Sequence, residues 1–172
     1  MACEVCDGKL KGLLYENDKI KIFLAAKPLA EGHVQIFPKE HHTIIETLPD
    51  NLLEYMSFAA NRMSMLLFEI MKSHGTNIVV QNGIPAGQTI PHFSIHIIPR
   101  RTDDGLKLDW DMKQAPSESL DNMQRIISEG MNMPEPAKSA VIDITPEKVA
   151  TIEKPKEKGK VNYFLKSLER VP

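Results

Sequence analysis

The sequence is poor in cysteine, with two residues in 172, and aromatic residues make up only 6%. Small secreted proteins that rely on a disulfide framework need several cysteine pairs, so this class is excluded. No apolar run approaches the roughly 18 residues of a membrane span. The N-terminus also lacks the basic and apolar regions of a secretory signal. These absences favour a cytoplasmic protein with no membrane partner.

A marked excess of either charge is also lacking, since the formal net charge is −2. This balance provides no electrostatic argument for nucleic acid as a partner. Hydrophobic residues make up 42% of the chain, enough for one domain with a buried core. We expect a core domain over 1–101 and a C-terminal extension of it over 102–132. Residues 133–160, rich in Pro, Lys and Glu, predict a flexible linker, and 161–172 predict an amphipathic C-terminal helix.

Within the core domain, three short β-prone runs precede one long amphipathic segment. Apolar residues recur there at helical spacing, which predicts a helix over 51–72. Asp50 is the expected N-terminal cap and Gly75 the expected stop. Further strands are predicted over 78–81 and 92–98.

The strand predicted over 92–98 contains two histidines and a serine at alternate positions. Alternate side chains of a strand point to the same face, so His92, Ser94 and His96 should share one face. The other face should pack on the core; its residues are Phe93, Ile95 and Ile97. A strand that aligns three polar groups, two of them imidazoles, indicates a functional site, although incidental histidines on an exposed strand remain an alternative.

The segment just before this strand is a polar turn with Gly83, Pro85 and Gly87. Such a loop can bring backbone N–H groups close to a ligand, and Gln88 and Thr89 add side-chain donors. Donors beside imidazoles suit a phosphate or another small anion, so we expect space for one there. A glycine-containing loop alone is also compatible with a plain hairpin.

Residues 81–100 resemble the signature of the histidine triad (HIT) family, His-φ-His-φ-His-φ-φ with φ apolar. The stretch 32–41 is similar to that family's Gly-His…Pro-Lys-x-His element, and the resemblance covers about residues 3–101. It implies an α+β fold, with an antiparallel sheet packed against a long helix, and a homodimer. It also implies a purine-nucleotide pocket and nucleotidyl hydrolysis or transfer, with nucleoside phosphoramidates or dinucleoside polyphosphates as substrates.

By this resemblance, His92 and His96 match the first and third histidines of the triad. His96 would orient the phosphate or act as acid or base, supported by His33 on the neighbouring strand. The resemblance implies that four residues bind the nucleotide: Gln81, Gln88, Thr89 and His96.

Two positions depart from the family pattern. Ser94 stands where the family keeps its nucleophilic histidine, and a serine hydroxyl attacks only if a base, here His96, takes its proton. Ala25 or Ala26 stands where relatives place an Asn or Asp for the ribose hydroxyls. Ser94 could be an engineered substitution, a natural feature of a binding protein, or part of an enzyme with altered chemistry. The second departure favours natural divergence, and whether the chain is an enzyme stays open.

Two functions therefore compete. The first is a purine-nucleotide-binding hydrolase or transferase whose activity is impaired or altered by Ser94. The second is a non-catalytic module that senses nucleotide in the old pocket or recruits a partner through its C-terminal tail.

The two cysteines form a C-x-x-C pair, which is half of a tetrahedral zinc site. From the residues alone, the remaining ligands could be any of six histidines, and a reduced or redox-active dithiol is the alternative. The resemblance to zinc-containing HIT proteins implies Cys3, Cys6, His41 and His92, with His42 as the second choice for the third ligand. Four protein ligands would make the zinc structural.

Overall fold

The computed structural model describes residues 3–107 and 112–131, and the chain divides into two compact units after Lys107. The first unit has the α+β fold expected from the sequence. Its elements, in chain order, are β1 (Leu13–Glu16), β2 (Ile20–Leu24), β3 (Val34–Pro38), α1 (Asp50–Met71), β4 (Gly75–Val80) and β5 (Ile95–Arg100). The predicted linker 133–160 and C-terminal helix 161–172 lie outside the described residues.

The five strands form one sheet in the order β1-β2-β3-β5-β4, and every neighbouring pair is antiparallel. One face of the sheet is apolar because alternate residues of its central strands are isoleucine or valine. Helix α1 packs on that face against β3, β4 and β5. The strand residues of this core are Ile20, Ile22, Val34, Ile36, Ile95 and Ile97.

Helix α1 differs from its prediction at both ends. The N-cap is Pro49, and Asp50 is the first helical residue without a side-chain capping bond, so the predicted cap was wrong. Asp50 still places a negative charge in the first turn, where the helix dipole favours it. At the other end Lys72 takes the left-handed conformation, with φ 50°, and ends the helix. Gly75, the predicted stop, instead begins β4.

The opposite face of the sheet carries a smaller apolar cluster. It consists of Cys3, Val5, Phe23 and Phe37, with the two phenylalanine rings in edge contact at 5.9 Å between centroids. This cluster holds residues 3–12, which form no strand or helix, against the sheet. The same face carries the polar residues described below.

The second unit contains helix α2, Ser117–Gly130. Its apolar residues are exposed; they are Leu120, Met123, Ile126 and Ile127. Within the described residues, neither α1 nor α2 is long and apolar enough to cross a membrane.

Candidate functional site

The segment carrying the two histidines and the serine enters the sheet later than predicted. β5 begins at Ile95, because the N–H of Phe93 donates to the carbonyl of His42 and that of His92 to Ile90, outside the strand ladder. Side chains still alternate. Phe93 packs in the core under α1, whereas Ser94 and His96 lie on the opposite face and are partly exposed.

A chain of hydrogen-bonding groups runs through this face. Ser94 Oγ lies 3.0 Å from His96 Nε2, and His96 Nδ1 lies 3.1 Å from His33 Nε2. Gln35 Nε2 also lies 3.4 Å from His96 Nδ1. The backbone N–H of Leu29 donates to His33 Nδ1 over 3.2 Å. The structure thus brings together all three residues predicted to be catalytic.

Burial keeps these imidazoles neutral at pH 7. His33 is 3% exposed, and burial, reinforced by the nearby His96, lowers its pKa from 6.5 to about 4. Burial also lowers the pKa of His96. Protonation would place a charge where little water can solvate it, so the uncharged ring is favoured.

The glycine-containing loop leads into residues 88–90, which line a hollow together with Ser94 and His96. Gly83 and Gly87 flank a short 3-10 helix, Ile84–Ala86, with φ of 89° and 91°. Both values lie in the left-handed region that glycine tolerates. A Cβ added at Gly87 would also come within 2.7 Å of Gln81 Nε2. The backbone conformation therefore favours glycine at both Gly83 and Gly87. At Gly87 a side chain would also collide with Gln81.

Gln88 holds this loop in place. Its Oε1 accepts a hydrogen bond from the N–H of Gly83, and its Nε2 donates to the carbonyls of Thr43 and Ile90. Both ends of the side-chain amide are thus engaged by backbone. Gln88 was expected to offer a donor to phosphate, but in this arrangement its amide braces the loop instead.

The hollow between loop and sheet is narrower than expected for a phosphate. It encloses about 10 Å³, which is room for about one water molecule. Thr89 at its rim is exposed, so its hydroxyl is available. The residues lining the hollow are Gln35, Gln81, Gln88, Thr89, Ile90, Ser94 and His96.

A second polar cluster adjoins this face and includes His92. The ligand atoms of Cys3, Cys6, His41 and His92 all lie within 4.8 Å of one another, so the four predicted metal ligands converge. His92 Nδ1 is 3.3 Å from Cys3 Sγ and 3.6 Å from Cys6 Sγ. Cys6 Sγ is 3.4 Å from His41 Nδ1.

These separations suit a tetrahedral ion. Zinc bonds of about 2.3 Å to sulfur and 2.0 Å to nitrogen place S and N about 3.5 Å apart. The Nε2–H of His92 donates to the Pro38 carbonyl over 2.9 Å, leaving the Nδ1 lone pair directed at the sulfurs. His42, the alternative ligand, is outside the cluster. Its Nε2 is buried and has no hydrogen-bond partner among the described residues.

Three contributors to the site and its loop were not predicted from the sequence. Gln35 is two residues after His33, so strand alternation could have placed it beside His96. Leu29 acts through its backbone N–H, which no side-chain pattern indicates. Asn82 also supports the loop, because its side chain accepts from the N–H of Ile45 and donates to Glu46.

Sequence comparison places this arrangement among known proteins. Residues 9–103, more than half of the chain, match the HIT domain. The adenylylsulfatase HINT3 of Arabidopsis thaliana is 36% identical over 127 residues, which are 67% of this chain and 64% of that protein. The adenosine 5'-monophosphoramidase HNT1 of Candida albicans is 26% identical over 133 residues, covering 74% and 88% of the two chains.

Solved structures agree with the sequence comparison. A HIT family protein from Bacillus subtilis has a TM-score of 0.68 at 24% identity, covering 78% of this chain and all of that one. A zinc-bound histidine triad family protein from Mycobacterium smegmatis has a TM-score of 0.57 at 25% identity, covering 74% and 93%. With the domain match over most of the first unit, these likenesses show that the chain belongs to the HIT family.

Proposed function

We propose that the protein binds purine nucleotide phosphoesters beside Ser94 and His96, and that Ser94 makes it a much weaker hydrolase or transferase than relatives with a histidine there. The named activities of the relatives from Arabidopsis and Candida, an adenylylsulfatase and a monophosphoramidase, support a nucleoside phosphate ester or amide as the ligand class.

The observation that carries this proposal is the hydrogen-bonded row of Ser94, His96 and His33, whose first two members line the hollow. The row offers polar hydrogens without positive charge, and Thr89 and Gln81 add donors at the rim. Such a surface can bind phosphoryl oxygens. Because the hollow has room for about one water, we expect a phosphoryl group to bind at its rim or with an outward movement of the loop around Thr89.

Nucleotide affinity should be modest. Ala25, one of the two candidates for the ribose-binding position, is 7% exposed and its methyl group offers the ribose no hydrogen bond. The ligand must then be held by its phosphate and by apolar contacts to its base.

We also propose that Cys3, Cys6, His41 and His92 bind one structural Zn²⁺. The converging ligand atoms and the orientation of His92 by Pro38 support this, as does the zinc-bound relative from Mycobacterium smegmatis. With four protein ligands the ion has no open position for substrate, so its role is to fasten the N-terminal segment to the sheet.

We also propose that two copies of the chain form a homodimer. β4 is an edge strand of the sheet, and its Ile78 is 51% exposed. On α1, which packs against β4, Ile70 is 66% exposed. A second copy could cover both positions. Light scattering should give twice the chain mass for the parent, and Ile78→Lys should shift it toward monomer; a monomeric parent contradicts this part of the proposal.

Calorimetry with AMP tests the nucleotide site. We expect saturable binding by the parent and at least about tenfold weaker binding by His96→Ala, because Ser94 then loses the neighbour that orients its hydroxyl, and a hydrogen bond from that hydroxyl to a charged phosphate contributes about 1.5–3 kcal/mol. His74→Ala is the matched control, because His74 is exposed and bonds to Thr102 away from the site. Parent protein that fails to bind AMP, or equal losses in both variants, would contradict the proposal.

A further inference from the structure

The hydrogen bonds behind Ser94 have a direction that the backbone sets. The N–H of Leu29 points at His33 Nδ1, and a backbone N–H can only donate. Nδ1 must therefore hold a lone pair. A neutral imidazole carries one proton, so the proton of His33 is on Nε2.

The same reasoning extends to His96. Its Nδ1 faces the Nε2–H of His33 at 3.1 Å and the side-chain NH₂ of Gln35 at 3.4 Å. Two donors converge on this nitrogen, so it accepts and carries no proton. Neutral His96 therefore has its proton on Nε2, which lies 3.0 Å from Ser94 Oγ.

We propose that the backbone N–H of Leu29 orders the hydrogen bonds through His33 and His96 so that Ser94 receives a hydrogen bond and donates its own O–H to a phosphoryl oxygen of the ligand. The identity of the ligand rests on the function proposed above, whereas the direction of the hydrogen bonds is independent of that function. In this arrangement Leu29, His33 and Gln35 are positioning residues, and Ser94 is a binding residue.

This order opposes the expected role of His96 as the base for Ser94. A base needs a lone pair on Nε2, but that atom carries the proton. To exchange the protons, His96 would have to hold a proton on Nδ1 and His33 one on its own Nδ1. The second proton would face the N–H of Leu29, leaving two donors opposed and a backbone group unpaired. The site thus favours binding over attack by Ser94.

Long-range ¹H–¹⁵N NMR on the full chain, labelled at histidine and kept at pH 7.5, reads the tautomers directly. We expect His33 and His96 both to carry the proton on Nε2, with assignments from His33→Gln and His96→Gln. A proton on Nδ1 of His96, or on both of its nitrogens, would overturn the proposal. This experiment needs no ligand, so it succeeds or fails independently of nucleotide binding.

Leu29→Pro removes the donor, and Leu29→Ala keeps it while shortening the same exposed side chain. We expect His33 in Leu29→Pro to populate the Nδ1–H form at least about tenfold more than in Leu29→Ala, which should match the parent. Identical tautomers in both variants would refute the role of Leu29. If Leu29→Pro unfolds by circular dichroism, the tautomers of the parent decide the proposal.

Binding of AMP then tests the donor role of Ser94. Ser94→Ala should weaken affinity by about tenfold or more, and Ser94→Thr, which retains the hydroxyl, should stay within about threefold of the parent. Equal affinity for Ser94→Ala and the parent would show that the hydroxyl does not donate to the ligand. Absence of binding by the parent would refute the proposed function, while the tautomer measurement would still stand.

Discussion

His92 and His96 lie four residues apart on one segment, yet they present opposite chemistry to their sites. The Nε2–H of His92 is held by the Pro38 carbonyl, so its Nδ1 lone pair faces Cys3 and Cys6. His96 is reversed. Its Nδ1 is held by His33, and its Nε2–H faces Ser94.

The difference indicates that the hydrogen-bond partner behind an imidazole decides whether the ring presents a lone pair or a proton to its site. A carbonyl behind His92 leaves a lone pair in front, as a metal ligand needs. Donors behind His96 leave a proton in front, and Ser94 Oγ accepts it. Neither partner is visible in the histidine pattern, because Pro38 and Leu29 act through their backbone atoms.

The largest effect should come from restoring a nucleophilic lone pair at position 94, beside the proposed phosphate site. Ser94→His should raise hydrolysis of adenosine 5'-phosphoramidate by about 10³-fold or more, since nucleophile loss in enzymes costs 10⁴-fold or more. A neutral imidazole needs no base, so the proton on His96 Nε2 is no obstacle. Product AMP is measured by liquid chromatography.

Ser128→His on α2 is the control, because Ser128 is exposed and outside the core unit. If both variants hydrolyse the substrate no faster than the parent, position 94 does not face a reactive phosphorus and the site assignment fails.

The sequence anticipated the residues of both sites better than their surroundings. The four metal ligands converge as the C-x-x-C pair and the family resemblance implied, and strand alternation placed Ser94 with His96. Proton positions could not be predicted, because they depend on the Leu29 N–H. The narrow hollow was also missed, since the sequence does not show that Gln88 bonds to the backbone of the loop.

The ends of helix α1 also show that backbone interactions are hard to predict from the sequence. The apolar spacing predicted α1 to within a residue at each end, but the chosen cap and stop were wrong. Pro49 and Lys72 carry these roles through backbone conformation, which side-chain preference describes poorly. In this protein, sequence patterns predict well on which face of a strand or helix a side chain lies. They predict poorly which backbone N–H or carbonyl that side chain contacts.

Loss of one proposed zinc ligand tests the metal site. Cys6→Ser should reduce bound zinc to a small fraction of one per chain and lower the free energy of unfolding by roughly 4 kcal/mol at zinc a thousandfold above Kd. Metal content by mass spectrometry and urea denaturation measure the two effects. His74→Ala should retain zinc. Full zinc occupancy in Cys6→Ser would show that Cys6 is not a ligand.

The neutral state of His33 should make stability depend on pH. Between pH 6.5 and about 4 the unfolded chain binds a proton at His33 and the folded chain does not. The free energy of unfolding should therefore fall as pH drops through this window, by roughly 3 kcal/mol from this residue. Above pH 6.5 the contribution is complete, and below about 4 it is lost.

His33→Gln should remove that part of the slope in urea denaturation series, while the pH dependence from all other groups remains in both proteins. Parallel stability curves for the parent and His33→Gln would contradict the buried neutral state.

The smallest expected effect concerns the brace that closes the hollow above Ser94. Gln88→Ala removes the bonds to Gly83, Thr43 and Ile90. Leaving the N–H of Gly83 without its partner should cost about 1 kcal/mol in unfolding free energy. Hydrogen exchange at Gly83 should also accelerate.

Gln114→Ala, at an exposed position of the second unit, controls for loss of an amide side chain. AMP affinity separates two roles for Gln88. If Gln88 only braces the loop, Gln88→Ala opens the hollow and leaves AMP affinity unchanged or higher. If its amide binds phosphate, affinity falls by about tenfold. Because its donors already meet two carbonyls, we expect the first result, which would leave the anion contact to Ser94 rather than to Gln88.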